Sequence, residues 1–261
     1  MRRLLAVPLL VLALASTGQV APATAIVGGT DVPDGEYPFM ASIQSRGSTG
    51  SDGQICGGSV VAKRWILTAA HCTVFRPKDV QVVVGRTDLA KSGGQVLRID
   101  RMVVHPDYDA TGSSDVALWH TTKRIRAPRI ALARAADDTF EAAGTTLTVA
   151  GWGVEESGGS VAPTRLQQVD VSVTSDLECA TNLLLGFTTA TEFCASTLGG
   201  DSCQGDSGGP IFGRRDDGSF VQVGAVSYGF QCATPLFPGV YAELNAPGIA
   251  DFLRTTIKGG K

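Results

Sequence analysis

The sequence predicts an all-β protein. Glycine supplies 32 of its 261 residues while charged residues make up only 18 %, a balance that favours a turn-rich sheet protein over a helical or disordered one. Short segments rich in β-branched residues recur between turn signals, and only two stretches carry helix signals. All-β proteins of this length often form a single compact unit.

The first strand segments run Phe39 to Gln44, Ser59 to Ala69, Val80 to Val84, Val96 to Val104 and Val116 to Trp119. The Gly/Ser-rich loop Ser45 to Gly53 is expected to be exposed. A polar stretch holding Pro128, Asp137 and Asp138 reads as a connector to further strands at Thr146 to Ala150, Val169 to Val173, Ile211 to Phe212 and Phe220 to Ser227. Ser175-Asp176-Leu177-Glu178 has the form of a capping box and starts a short helix. A second helix begins near Asn245, with Pro247 in its first turn and Ile249, Phe252, Leu253 and Ile257 along one side, an apolar stripe that can pack on the body.

The N-terminus has a different character. Arg2 and Arg3 precede an uncharged apolar run from Leu4 to Ala15, too short to span a bilayer comfortably, and small residues follow as far as Ala23-Thr24-Ala25. This is the pattern of a secretory signal over residues 1–25. Without it the chain has 20 basic and 25 acidic residues, a charge of −5, and so no general attraction to nucleic acid or to an anionic membrane. Export leads to an oxidising compartment. There Cys56, Cys72, Cys179, Cys194, Cys203 and Cys232 form three bridges more readily than metal sites, with the pairing left open by the sequence.

Chemistry concentrates in Gly205-Asp206-Ser207-Gly208-Gly209-Pro210. A serine becomes a nucleophile when a base can take its proton and backbone N–H groups wait where an oxyanion forms, and flanking glycines let the backbone approach a substrate closely. Of the three histidines, His71 ends an apolar strand beside Cys72, whereas His105 precedes a proline in a loop and His120 ends a strand. Asp115 heads the apolar run Val116-Ala117-Leu118-Trp119. A carboxylate carried inward there needs a hydrogen-bonding partner, and an imidazole N–H is a suitable one.

Ile26-Val27-Gly28-Gly29, Thr68-Ala69-Ala70-His71-Cys72, Asp115-Val116-Ala117-Leu118 and the Ser207 segment together resemble the chymotrypsin family of serine proteases, over about residues 26–258. The order His, Asp, Ser is the order of that family's catalytic triad. The resemblance implies two packed six-stranded antiparallel barrels, the first over about 26–135 and the second over about 136–244, followed by a C-terminal helix over about 245–258. It implies His71, Asp115 and Ser207 as the triad and the N–H groups of Gly205 and Ser207 as an oxyanion hole. Asp206 would pair with the ammonium freed at Ile26. The family's usual Arg or Lys before that position is Ala25 here, so either signal peptidase exposes Ile26 directly or a short propeptide, residues 16–25, is removed later.

By the same resemblance Asp201 is the floor of the primary specificity pocket, with Ser202 beside it and Gly229 and Gly239 in its walls, which implies cleavage after Arg or Lys. Ser227-Tyr228-Gly229 would offer a strand edge to an extended substrate, with Tyr228 where the family usually has Trp. The bridges implied are Cys56 with Cys72, Cys179 with Cys194 and Cys203 with Cys232, the count of simpler secreted trypsins. No cofactor is required. Calcium is weakly signalled, by Asp88 alone in the loop Arg86 to Gln95 and by Asp176, Glu178 and Glu243, which read as solvated. The expected product is a secreted, monomeric endopeptidase acting on protein or peptide substrates and open to proteinaceous inhibitors. A noncatalytic binding module on the same fold is disfavoured by the complete triad, and an elastase- or chymotrypsin-like preference by Asp201.

Overall fold

The computed structural model describes residues 26–108, 112–183, 187–230, 232–233 and 237–260. The secretory signal expected over residues 1–25 lies outside them. A short strand β1 (Thr30–Asp31) leads into β2 (Met40–Ser45), β3 (Gln54–Ala62), β4 (Trp65–Thr68), β5 (Val80–Val84), β6 (Gln95–Val104) and β7 (Ala117–Thr121). The last six close into a barrel in the order β2-β3-β4-β7-β6-β5. Alternation is clearest in β6, where Leu97 and Ile99 point inward and Arg98 and Asp100 outward, the period of a half-buried strand. The single segment expected over Ser59 to Ala69 is two strands. Exposed Lys63 and Arg64 break it, and Ser59 pairs back with Leu67 across the hairpin.

The connector holds β8 (Ala131–Leu132) and a 3-10 turn, Ala135–Glu141. After it come β9 (Thr146–Gly151), β10 (Gln167–Val173), β11 (Glu192–Ser196), β12 (Pro210–Arg214), β13 (Phe220–Tyr228) and β14 (Gly239–Glu243). They follow the order β10-β11-β14-β13-β12-β9, and β9 pairs with β10 to close a second six-stranded barrel, with β1 and β8 added at its margins. The strand signals missed β11 and β14. Val240 is the only β-branched residue in either, and both are held as strands because their neighbours bury them between β10 and β13.

Helix α1 (Asp176–Leu183) starts as expected, with the Ser175 hydroxyl accepting the Glu178 N–H at 3.2 Å. Helix α2 (Pro247–Gly259) buries Ile249 and Leu253, with Phe252 and Ile257 packed beside them. The loop Ser45 to Gly53 is exposed along much of its length but not throughout. Ser51 and Gly53 are buried, and the Ser51 hydroxyl donates to the Ala162 carbonyl at 2.6 Å.

The barrels meet through aromatic rings. Phe212 on β12 packs edge-on to Tyr37, Phe39 and Phe220 at centroid distances of 4.9, 5.4 and 5.5 Å, inside a core cluster drawing on both barrels and α2. Beside it, the fully buried Ser59 hydroxyl of β3 donates to Gln222 of β13 at 2.6 Å. Phe212→Ala should therefore lower the unfolding free energy by about 3–5 kcal/mol in chemical denaturation. A loss under about 1 kcal/mol would show that this ring is not what joins the barrels.

Candidate active site

Strand β4 ends at Thr68 and the chain turns into a 3-10 segment, Ala70–Val74, that carries His71. The Cys56–Cys72 bridge ties the residue after His71 back to β3. In the segment leading into the neighbouring strand β7, Ser114 takes a left-handed backbone (φ 57°), and Asp115 is left 4 % exposed. His71 Nδ1 lies 2.6 Å from Asp115 Oδ2, and the His71 backbone N–H donates to Oδ1 at 3.0 Å. Two attachments to one buried carboxylate set both the position and the tilt of the ring. A third donor comes from the second barrel, where the Ser227 hydroxyl bonds Oδ2 at 2.6 Å.

Ser207 reaches this place through its backbone. Its carbonyl accepts the Gly57 N–H at 2.8 Å and lies 3.6 Å from the Cys72 sulfur. Gly208 has φ 76°, and a Cβ there would sit 2.2 Å from Thr68 Oγ1 and 2.4 Å from the Ala69 nitrogen. Gly205 has φ 98°. Between the glycines, the Asp206 N–H donates to Cys203 O at 3.0 Å, while the N–H groups of Gly205 and Ser207 have no protein acceptor among the described residues.

Beside Ser207 opens a pocket of about 200 Å³, lined by Asp201, Ser202, Ser227, Tyr228, Gly229 and Gly239 among others. That volume suits one side chain and not a drug-sized ligand. Asp201 is 5 % exposed; its carboxylate accepts the Ala233 N–H at 3.2 Å and the Ser202 hydroxyl at 3.4 Å. Gly229 and Gly239 face each other: a Cβ on Gly229 would come 3.9 Å from the Gly239 Cα, and one on Gly239 would come 3.0 Å from Asp201 Oδ1. Either side chain would enter the pocket.

A model of the trypsin family matches residues 26–251. The chain belongs to the trypsin family. Among similar proteins are a trypsin-like protease of Streptomyces glaucescens, 36 % identical over 90 % of this chain and 85 % of that one, and a trypsin of Saccharopolyspora erythraea, 38 % identical over 85 % and 94 %. Trypsin Blo t 3 of Blomia tropicalis is 35 % identical over 84 % and 82 %. The protein is a trypsin-like serine peptidase, a hydrolase acting on protein substrates.

Three acids in this trypsin-family site feel burial differently. Burial alone would push the Asp115 carboxyl up, but the bonds from His71 and Ser227 outweigh it and hold the group below the usual carboxylate range. No cation faces Asp201 among the described residues, and burial raises it to about 6. Asp206, fully buried, is pushed up to about 7 although Gly153 N–H (2.7 Å) and Cys203 N–H (2.9 Å) both donate to it.

All three expected bridges are present. Among the described residues the one group of three possible metal donors is Cys56, His71 and Cys72, and the bridge occupies both sulfurs. Of the calcium candidates, Asp176 and Glu178 are exposed. Glu243 is not solvated as expected: it is half-buried, and burial together with the Asp138 and Asp176 charges raises its carboxyl. The same burial and the charge of Glu243 raise the Glu141 carboxyl to about 8. His105 is buried against Phe252, and His120 bonds Asp100 at 2.6 Å. Neither reaches the cleft.

Sequence reasoning placed Ser227 on a strand edge and missed its hydroxyl as an Asp115 partner. It also missed Glu192, 2 % exposed, whose carboxylate accepts the Tyr228 hydroxyl at 3.2 Å and the Thr188 N–H at 2.8 Å. An acid inside the short segment Glu192-Phe193-Cys194 was the available signal. Gly208→Ala should sharply reduce peptidase activity, because the added methyl separates the Ser207 backbone from Thr68 and Ala69. Hydrolysis by the folded variant at more than half the parental rate would contradict this close fit.

Proposed function

We propose that the protein is a secreted endopeptidase that cuts after Arg or Lys through Ser207, His71 and Asp115. The observation that carries this reading is the bonded row from Ser227 through Asp115 to His71, set against the Ser207 backbone at the mouth of a glycine-walled pocket closed by Asp201.

In this mechanism His71 takes the Ser207 proton as the hydroxyl attacks the scissile carbonyl, and Asp115 keeps the ring oriented and stabilises the imidazolium. The carbonyl oxygen gains charge and moves towards the N–H groups of Gly205 and Ser207. Donors fixed in advance stabilise the tetrahedral species by about 3–4 kcal/mol each. His71 then gives its proton to the leaving amine, and water, activated by the same ring, releases the acyl group from Ser207. Asp201 meets a guanidinium in forked geometry or an ammonium as a point charge. The edge Ser227 to Gly229 aligns the substrate backbone, with Tyr228 as its aromatic wall.

Activation follows from Asp206. Its pKa stands above its ordinary 3.8, at about 7. Its contribution to the stability of the uncut chain is therefore fully present below about pH 4 and lost as pH rises through about 7. Ile26 is fully buried with a left-handed backbone (φ 55°) that a β-branched side chain resists. Val27 bonds the pocket-floor residue Asp201 at 3.1 Å. Cutting before Ile26 would relieve that strain, supply the ammonium Asp206 lacks, and transmit order through Val27 to the pocket. The exit Ala23-Thr24-Ala25 is read as the cutting site of signal peptidase. N-terminal sequencing of the earliest secreted form should begin at Ile26; a start at Ser16 would mean a separate propeptide step.

The mature protein should hydrolyse arginine esters, and benzamidine and serine-directed covalent reagents should block it. Ser207→Ala should leave a folded protein without esterase activity, and Asp201→Ser should abolish the preference for Arg while the triad stays intact. Benzamidine affinity should be flat above about pH 7 and fall towards tenfold per unit below about 6, as Asp201 takes up a proton. Full activity in Ser207→Ala, or an unchanged preference in Asp201→Ser, would refute the assignment.

A further inference from the structure

We propose that Gln54, on the first barrel, is a positioning residue that keeps the Gly205 and Ser207 N–H groups aimed into the cleft. The proposal rests on the reading of those two groups as the oxyanion site. Gln54 opens β3, and its side-chain amide is committed at both ends. Nε2 donates to the Cys56 carbonyl at 2.9 Å and to the Gly205 carbonyl at 3.0 Å, and Oε1 accepts the Ser42 hydroxyl at 2.5 Å. Two carbonyl acceptors on one side dictate which end is nitrogen, since the flipped amide would set oxygen against oxygen.

The peptide plane that Gln54 holds is the central one of three. It carries the Gly205 carbonyl on one edge and the Asp206 N–H on the other, and that N–H is itself tied to Cys203 O at 3.0 Å. The plane is thus gripped at both edges. Its two neighbours carry the Gly205 N–H and the Ser207 N–H. Glycine tolerates either sign of φ, so at Gly205, held at φ 98°, the local backbone offers little resistance to rotation. Resistance comes from outside. The Asp206 carboxylate anchors the loop from within the second barrel through Gly153 and Cys203, and Gln54 anchors it from the first, 151 residues away in the chain. The Gln54 Cγ also lies 3.5 Å from where a Gly205 Cβ would stand, which limits the swing of that residue towards the first barrel.

An arginine aldehyde and benzamidine separate this role from a merely structural one. The aldehyde forms a tetrahedral adduct with an oxygen at the two N–H groups, whereas benzamidine fills only the Asp201 pocket. In Gln54→Leu, kcat on an arginine amide substrate should fall by about 10- to 100-fold with KM within about threefold. Aldehyde affinity should fall by a similar factor and benzamidine affinity should stay within about twofold. Ser42→Ala keeps Gln54 but frees its amide to turn, so it should show a smaller loss of the same kind, and it decides the matter if Gln54→Leu does not fold. Retention of kcat and aldehyde affinity overturns the proposal, as does an equal loss of both ligands, which would mean general loosening of the cleft. If the parent protein itself binds the aldehyde no better than benzamidine, the oxyanion reading fails and takes the role of Gln54 with it.

Discussion

Backbone pressed directly on backbone between the two barrels is the constraint on which the site depends. The Ser207 carbonyl bonds the Gly57 N–H, and Gly208 stands so near Thr68 and Ala69 that no Cβ fits. Gly57 in its turn would set a Cβ 2.9 Å from the Gly209 Cα. Glycines on both sides of the seam bring the serine loop within reach of the segment carrying His71. A single methyl group would open that distance. The aromatic contact of Phe212 with Tyr37 and Phe39 supplies cohesion further out, but the seam sets the spacing.

Buried acids supply the polarity of the cleft, and each has a different remedy. Asp115 is neutralised in effect by three donors and remains charged. Asp201 and Asp206 receive backbone N–H groups but no cation among the described residues, and burial drives both upward. These two are also the groups for which cations are proposed, the substrate side chain for one and the Ile26 ammonium for the other. Their high proton affinity in the uncut, empty protein is the counterpart of strong pairing later, since the cost of desolvation has already been met by folding. Glu192 differs again: its partners are the Thr188 N–H and the hydroxyl of Tyr228, which lines the cleft.

Much of the site was legible because its residues sit in short runs whose types have few other uses. Gly205 to Pro210 suggested a nucleophile from its residue types, Thr68 to Cys72 gained its proposed role from the family resemblance, and most strands were found where β-branched residues cluster between turn signals. The signal weakened where the structure relies on neighbours. Strands β11 and β14 are strands because the barrel closes over them. Ser59 to Ala69 looked continuous because a Lys-Arg hairpin carries no glycine or proline to announce it. Ser227 and Gln54 were missed as side chains because a hydroxyl or an amide in a strand has many ordinary uses, and only its partners distinguish one use from another.

The sequence by itself determined the fold class and offered Ser207, Asp115 and His71 as the proposed relay, because local residue patterns restrict backbone geometry and chemistry alone. The tertiary structure decided which atoms meet: that Ser227 bonds Asp115, that Gln54 grips the Gly205 carbonyl, that Asp206 is fully buried and Asp201 only 5 % exposed in the pocket lining. Hydrogen-bond partners and desolvation depend on groups far away in the chain, and no local pattern encodes them.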